Sequence, residues 1–404
     1  MTTYPGMTQD ILNALVRGKA LEGDFIDRFE ATVARAFCVK HAIALSSGRF
    51  GMQLILENLG LAAGDEIILP AYTQVELPAV IEASGFVPVL ADVAPGAFNC
   101  SAEEISRKIS GKTRVVIMTH MNGEAADVEG ILKLADDQDL IVVEDNAHGI
   151  GVQAPDGRYL GSLGRAGFLS LETRKVVNTF GGGVVLTGDD DLARTIRACI
   201  AVLNPSFPKL FKRILSVQAE DLSLTAPLAP VVTRLLHSDN FNKAMILLYR
   251  SIHRSNRDAR VAYSNLQALL GLRQMEHLEQ IIRHRKELGR AYLEGLSGIS
   301  DEILDQSYLN RLKRLTTSDS LVRHNFYAMI VLGGNTSRLA NRLLTMGIDI
   351  GTGEDTCEDL PERYDTKGSY PNTRTAIEHG IQLPIYSTMT VKMVDKVCAA
   401  FRRL

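Results

Sequence analysis

The sequence predicts an α/β protein whose mostly parallel sheet is covered by helices on both faces, followed by a smaller α+β domain. Three observations predict it. Short β-branched runs alternate with amphipathic helical segments through the first half of the chain. Its 404 residues exceed the length at which a single core usually stops growing, so a second, smaller unit is expected. Beyond residue 260 a long helical pattern leads into a sparser mixture of strands and helices.

Helical patterns at Ile11–Leu15 and Ile26–Phe37 precede the first strand-like run, HAIALSS. GMQLILENLGL reads as a helix ended by a glycine, EIILP as a strand, LPAVIEASG as a helix and VPVLADV as a strand. SAEEISRKI looks like a helix opened by a serine cap, and VVIMTH like a strand. ADVEGILKLADDQD is helical and feeds IVVED; AGFLSL and GGGVVLT extend the strand pattern past Leu186. DLARTIRACIAVL is helical, but NPSFPKLFKRIL, PLAPVVTRLL and AMILLYRSI give apolar helical pieces broken by prolines. Lys209 to Arg260 holds nine Lys or Arg against Glu220, Asp221, Asp239 and Asp258. Such a segment reads first as a helical hairpin with a basic rim packed on its own protein, and otherwise suits a phosphorylated substrate, a membrane surface or a partner subunit. One long helix is expected from Ser264 through LQALLGLRQMEHLEQIIRHRKELGRAYLEGL, with a continuous apolar stripe. FYAMIVLG then supplies a strand, SRLANRLLTMG a helix and STMTVKMVDKVCAAFRRL a closing helix. The expected division is a large domain over 1–260, with a helical insertion near 205–260, and a small C-terminal domain over 261–404.

Composition narrows the function classes. A net charge of -3 gives no general reason to expect nucleic-acid binding. The start, MTTYPGMTQDILNALV, lacks the features of a signal peptide, and no apolar run is long enough for a membrane span. Cys38, Cys100, Cys199, Cys357 and Cys398 have neither zinc-site spacing nor the density of a disulfide scaffold, which favours a cytoplasmic protein.

Asp145 and Lys175 are the leading chemical candidates. Asp145 ends the apolar run IVVED, where an open parallel sheet presents ligands. An acid there can keep a heterocyclic nitrogen protonated and make its ring an electron sink. Lys175, in FLSLETRK, lies just beyond another strand, where its amine can reach an aldehyde and later move protons.

From here the sequence resembles the DegT/DnrJ/EryC1/StrS family, the nucleotide-sugar aminotransferases of pyridoxal 5'-phosphate (PLP) fold type I. The likeness runs through SSGRFGMQLIL, GDEIILPAYT, THMNGEAADVEGI, VVEDNAHG, GSLGRAGFLSLETRK, GGGVVLT, SNLQALLGLRQMEHL and SYPNTRTAIEHGIQLPIYSTMT, in that order. The resemblance implies that Lys175 carries PLP as a Schiff base and that Asp145 partners the pyridine nitrogen. It implies that His148 contacts the cofactor near its ring oxygen, that Ser170 binds its phosphate, and that Gly48 and Arg49 offer backbone N–H groups to the same phosphate.

The departures concern the pocket. Arg49 and Phe50 stand where the family usually has Thr and Ser or Ala, and Gln74 replaces the aromatic residue that stacks on the pyridine. Tyr72 and Phe50 are candidates for that lost cover. Phe180, Gly181, Gly182 and Gly183 replace the usual glycine–glutamate–glycine–glycine. Arg260 falls near the family's asparagine that reaches the phosphate from the neighbouring subunit, and an arginine fork there would suit an anion. Lysine at 175 argues against the branch that removes a sugar hydroxyl and carries histidine there. The expected reaction moves an amino group from an amino acid, glutamate by resemblance, to a keto group of a nucleotide-linked sugar or related cyclic ketone. The expected assembly is a homodimer with the site at its interface. Alternatives are another PLP-dependent elimination, dehydration or aldol-type reaction, and a non-catalytic PLP-binding sensor or scaffold.

Overall fold

Seven short apolar strands, most of them buried along their length, cannot face water on either side, so they assemble into a sheet with helices on both faces. The computed structural model describes residues 4, 6–20, 23–223, 260–316, 322–353, 360–365 and 368–404. The strands are β1 (His41–Leu45), β2 (Glu66–Pro70), β3 (Val87–Ala91), β4 (Thr113–Thr119), β5 (Ile141–Asp145), β6 (Ala166–Ser170) and β7 (Gly183–Thr187). Their order across the sheet is β1-β7-β6-β5-β4-β2-β3. β2 to β6 run parallel to one another, and β7 alone is reversed, pairing antiparallel with both β1 and β6. β4, β5 and β6 therefore end side by side, with Thr119 opposite Asp145 and Asp145 opposite Phe168.

Alternate strand residues point to opposite faces. Ile67, Leu69, Val115, Ile117, Val143, Phe168 and Val185 pack with α3 (Gly48–Glu57), α4 (Glu76–Ala83) and α7 (Asp190–Ala201). The other face is covered by α2 (Phe25–Ala36) beside β1 and β7, and by α5 (Ala102–Ser106) and α6 (Val128–Asp137) beside β4 and β5. The serine cap expected at the start of α5 is in place, Ser101 Oγ accepting from Glu104 N, and Ser47 Oγ caps α3 by accepting from Phe50 N.

α8 spans Phe207–Ser223 and buries Leu210 and Ile214 against Phe180, Leu266, and Met7 and Ile11 of α1 (Met7–Val16). The expected pieces at 227–236 and 244–252 lie outside the described residues.

The single long helix expected from Ser264 is two helices. A capping box at Ser264 opens α9 (Asn265–Glu276), which ends at His277; α10 (Leu278–Gly295) follows at once. α9 places Ala268 and Leu272 beside Phe29 and Phe37 on the first sheet, whereas α10 sends Leu288, Tyr292 and Leu293 into a second core. Both halves bury an apolar face, so the helical period runs through the break unchanged.

That second core surrounds an antiparallel sheet of order β8-β10-β9, formed by Met329–Leu332, Gly380–Leu383 and Gly351–Thr352. The last two strands, four and two residues long, are too short to carry a periodic signal. Helices Gln306–Thr316, Thr336–Thr345 and Val391–Phe401 cover this sheet. No helix among the described residues is long and apolar enough to cross a membrane.

Two polar ties join the cores. Glu124 accepts from both Nη atoms of Arg311 at 2.8 Å. Asp92, buried beyond β3, accepts from Asn372 N at 3.0 Å, Thr373 N at 2.8 Å and Thr373 Oγ1 at 2.7 Å. It thereby caps the helix Pro371–His379 from a distant part of the chain. Asp92→Ala is expected to destabilise the protein by about 1–3 kcal/mol, because it leaves buried donors without an acceptor. Urea unfolding followed by circular dichroism checks this.

Candidate active site

A cleft of about 590 Å³ opens where β4, β5 and β6 end. It is lined by the first residues of α3, by 72–74, Glu76 and Leu77 after β2, by 119–122, by Asp145, Ala147 and His148, and by Ser170 and 172–175. Arg213 enters from α8, and Tyr327, Ala328, Gln382, Ile385 and Tyr386 come from the small domain.

The geometry starts from two adjacent acids at the end of β5. Glu144 is fully buried and turns away from the cleft: its carboxylate accepts from Gly161 N at 2.7 Å, Gly164 N at 2.9 Å and Leu163 N. It also faces His120 Nε2 at 3.1 Å. His120 Nδ1 accepts from Ala126 N at 3.2 Å, which places the ring proton on Nε2, pointing at Glu144. Asp145, one residue on, points to the cleft, and Ala147 N donates to its Oδ1 at 3.0 Å. Burial pushes the Asp145 carboxyl above its usual range; the Ala147 bond and the charge of Lys175 pull the other way. An acid so placed holds its charge best beside a cation, and a protonated ring nitrogen is such a partner.

Lys175 sits in the loop after β6, where its backbone N–H closes a turn on Glu172 O at 2.9 Å. Its Nζ lies 4.8 Å from the ring centre of Tyr327. The same tyrosine stacks on His148, with ring centres 4.0 Å apart and planes at 15°. Asn122 N donates to His148 Nδ1 at 3.3 Å, so the other ring nitrogen, Nε2, carries the proton. Burial and the nearby Lys175 charge push His148 well below its usual 6.5, which makes it a neutral hydrogen-bond donor.

Tyr327 is held from behind. Arg285, itself buried, donates to Phe326 O at 3.0 Å and Tyr327 O at 2.8 Å, and burial pushes its guanidinium down to about 10. Phe326 adopts φ 53°, a region that costs a bulky residue energy, and its ring packs against Gly289, where a Cβ would come within 2.4 Å. Asn325 ties this turn to the cleft: it donates to His148 O at 2.8 Å and Ile150 O at 2.9 Å, and accepts from Tyr327 N at 2.7 Å. Gly123 leaves room for Asn325, since a Cβ there would lie 1.9 Å from Asn325 Oδ1.

Of the residues selected from sequence, Gly48, Arg49, Gln74, Asp145, His148, Ser170 and Lys175 all line this one cleft. Ser170 ends β6 beside the start of α3; a Cβ on Gly48 would lie 3.4 Å from the Ser170 Cβ. The N–H groups of that first helical turn have no acceptor within the helix, which suits an anion. Arg49 pairs with Glu76 at 3.4 Å. Arg260 is not among the lining residues: it lies over the Phe50 ring, 5.8 Å from its centre. Phe50 likewise stays outside the lining, and Tyr72 lines the cleft with its ring packed on Phe98 at 5.0 Å. Tyr327, Arg213 and the His120–Glu144 pair escaped the sequence reading. Tyr327 and Arg213 lie far along the chain from the other lining residues, and no local spacing links them to Lys175.

Two buried polar atoms in the wall, Thr119 Oγ1 and Asn122 Nδ2, have no hydrogen-bond partner among the described residues. Such atoms are costly unless something in the cleft pairs with them. Together with the buried acid, the lysine and the helix start, they fit a polar heterocycle carrying a phosphate. No group of acidic, histidine or cysteine side chains among the described residues is arranged to hold a metal ion.

The single reversed strand in a mostly parallel sheet, the small α+β domain and the aspartate–lysine cleft define the fold type I class of PLP-dependent transferases. The model of the DegT/DnrJ/EryC1/StrS aminotransferase family matches residues 5–213 and 251–402, and the chain belongs to that family. It is 27% identical over 285 residues to a GDP-perosamine synthase of Vibrio cholerae, across 70% of this chain and 66% of that protein. It is 33% identical over 201 residues to an L-glutamine:2-deoxy-scyllo-inosose aminotransferase of Streptomyces fradiae, across 48% of this chain and 47% of that one. Each match thus spans less than two-thirds of the relative's length. An aminotransferase structure from Psychrobacter cryohalolentis superposes with a TM-score of 0.76 at 21% identity, across 99% of this chain and 96% of that one, a likeness of fold.

The histidines give a pH signature. His148 sits well below 6.5 in the folded protein, and burial pushes His324 down to about 3. Below about 6.5 the unfolded chain binds protons at both sites that the folded chain does not, so stability falls on acidification. His148→Gln is expected to flatten that acid-side slope by up to about 1.4 kcal/mol per pH unit, read from urea unfolding between pH 5 and 7.

Proposed function

We propose that this chain is a PLP-dependent aminotransferase that moves an amino group from an amino acid to a keto group on a nucleotide-linked sugar or a related cyclic ketone. The observation that supports it most is the convergence of Asp145, Lys175, His148, Ser170 and the α3 start on one cleft. PLP, when bound, supplies an aldehyde to which amines attach and a ring that accepts electrons from the reacting carbon.

The chain's own residues supply the rest. Lys175 Nζ would hold the cofactor through its aldehyde and, when not so engaged, would carry a proton at the reacting carbon. Asp145 keeps positive charge on the ring nitrogen. His148, neutral and protonated on Nε2, donates toward the ring oxygen without adding a second cation beside Lys175. Ser170 Oγ and the N–H groups of Gly48 and Arg49 receive the phosphate. Tyr327 fills the wall beside Lys175 and His148 and limits where the lysine amine can swing.

The likeness to a GDP-perosamine synthase supports a nucleotide-linked acceptor. The second relative's name pairs L-glutamine with 2-deoxy-scyllo-inosose, so glutamine joins glutamate in the donor screen and a cyclic ketone remains the second acceptor class. A homodimer, a cytoplasmic location and the division near residue 260 belong to the same proposal. Arg260, outside its own chain's cleft, is a candidate for the anion site of a neighbouring copy.

Borohydride treatment of the PLP-loaded protein, followed by peptide mass mapping, is expected to fix the cofactor mass on the peptide bearing Lys175 and not in Lys175→Ala. Glutamate or glutamine is expected to convert the cofactor absorption of the wild type to that of its amine form. Trapping without conversion by any amino acid would instead favour another PLP reaction or a sensor. Absence of trapping would remove PLP from the proposal.

A further inference from the structure

We infer that Arg213 reads an oxyanion of one of the two substrates, and that Glu172 holds its guanidinium in place while that substrate is absent. The inference rests on the amino-transfer reading above and gives it a specificity-determining residue.

The neighbours on α8 show that Arg213 is not one of the basic residues of a solvated rim. Lys209, Phe211, Lys212 and Leu215 are exposed, whereas Leu210 and Ile214 are buried against Phe180, Leu266 and α1. Arg213, three residues after Leu210, shares the inward face of the helix, and its side chain is only 11% exposed. Its guanidinium enters the cleft that holds Asp145 and Lys175, where it pairs with Glu172.

The loop on the other side is shaped for it. Gly181 has φ 116°, and a Cβ at that position would lie 2.8 Å from Arg213 Nη1. A side chain at 181 would therefore be strained and would push the guanidinium aside. The Phe180–Gly183 run, where the sequence departs from the family's usual glycine–glutamate–glycine–glycine, leaves the space that α8 fills.

Glu172 is a weak retainer. Its side chain is 30% exposed, and an ion pair reached by solvent is easily exchanged for a better one. An incoming carboxylate or phosphate can use two parallel N–H donors of the guanidinium. Two sources fit the chemistry, the carboxylate of the amino donor and the phosphate of the acceptor.

Calorimetric titration of the PLP-loaded full chain separates them, with glutarate as a dicarboxylate that carries no amine and pyrophosphate as the phosphate probe. Wild type is expected to bind at least one. Arg213→Gln should weaken that probe at least tenfold and Arg213→Lys less, with circular dichroism unchanged. Glu172→Gln, which leaves Arg213 in place, should tighten it. Loss of glutarate assigns Arg213 to the donor, and loss of pyrophosphate assigns it to the acceptor. Three results would overturn the inference: neither probe binding wild type, Arg213→Gln binding normally, or Glu172→Gln binding no better, as a merely structural pair requires. Wild-type conversion by glutamate or glutamine is scored separately, so a protein that binds the probes without amino transfer sinks the reaction and spares the anion site.

Discussion

Two carboxylates taken out of water on consecutive residues of one strand set the terms for the rest of this structure. β-pleating sends Glu144 and Asp145 to opposite faces of the sheet. Glu144 is satisfied inside the protein by three backbone N–H groups of the 161–164 turn and by His120. Those bonds fasten the connection before β6 and the chain leaving β4 to the end of β5. The loops that bear Thr119, Asn122, His148 and Ser170 therefore start from fixed points. Asp145 makes the opposite demand: one N–H bond, deep burial and a carboxyl pushed upward ask for a cation from the cleft. One acid builds the frame, and its neighbour faces the cleft.

The second core completes the wall. Arg285 spends its buried guanidinium on the carbonyls of Phe326 and Tyr327, fixing a strained turn whose product is the position of one aromatic ring. That ring touches both the lysine amine and the histidine, so the reactive groups of the large domain are positioned in part by the second core. Asp92 and Glu124, each bonded across to the small domain, keep the two cores in register.

The electrostatic balance of the cleft follows from the same arrangement. His148 is kept neutral by its surroundings, so it donates a hydrogen bond without competing with Lys175 for a negative partner. The unusual residues of this chain fall around that constant centre. Arg49 is turned to Glu76, Gln74 stands at the wall in place of an aromatic ring, and Gly181 gives its space to Arg213.

Sequence by itself determined the strand–helix alternation, and it singled out Asp145 and Lys175, which line one cleft. Each is written in short-range patterns: buried strands as apolar runs, helices as a period near 3.6, an acid and a lysine just beyond strand ends. The resemblance to a known family added His148, Ser170, Gly48 and Arg49, and the structure gathered them into one cleft. Only the tertiary structure decided the rest. The reversal of β7, the break at His277 and the two short strands of the small sheet depend on which surfaces meet, and the apolar period is the same either way. Tyr327 and Arg213 reach the site from parts of the chain 152 and 38 residues beyond Lys175. Their roles come from an arginine clamp, a glycine gap and a neighbouring carboxylate, contacts between distant segments that no local spacing encodes.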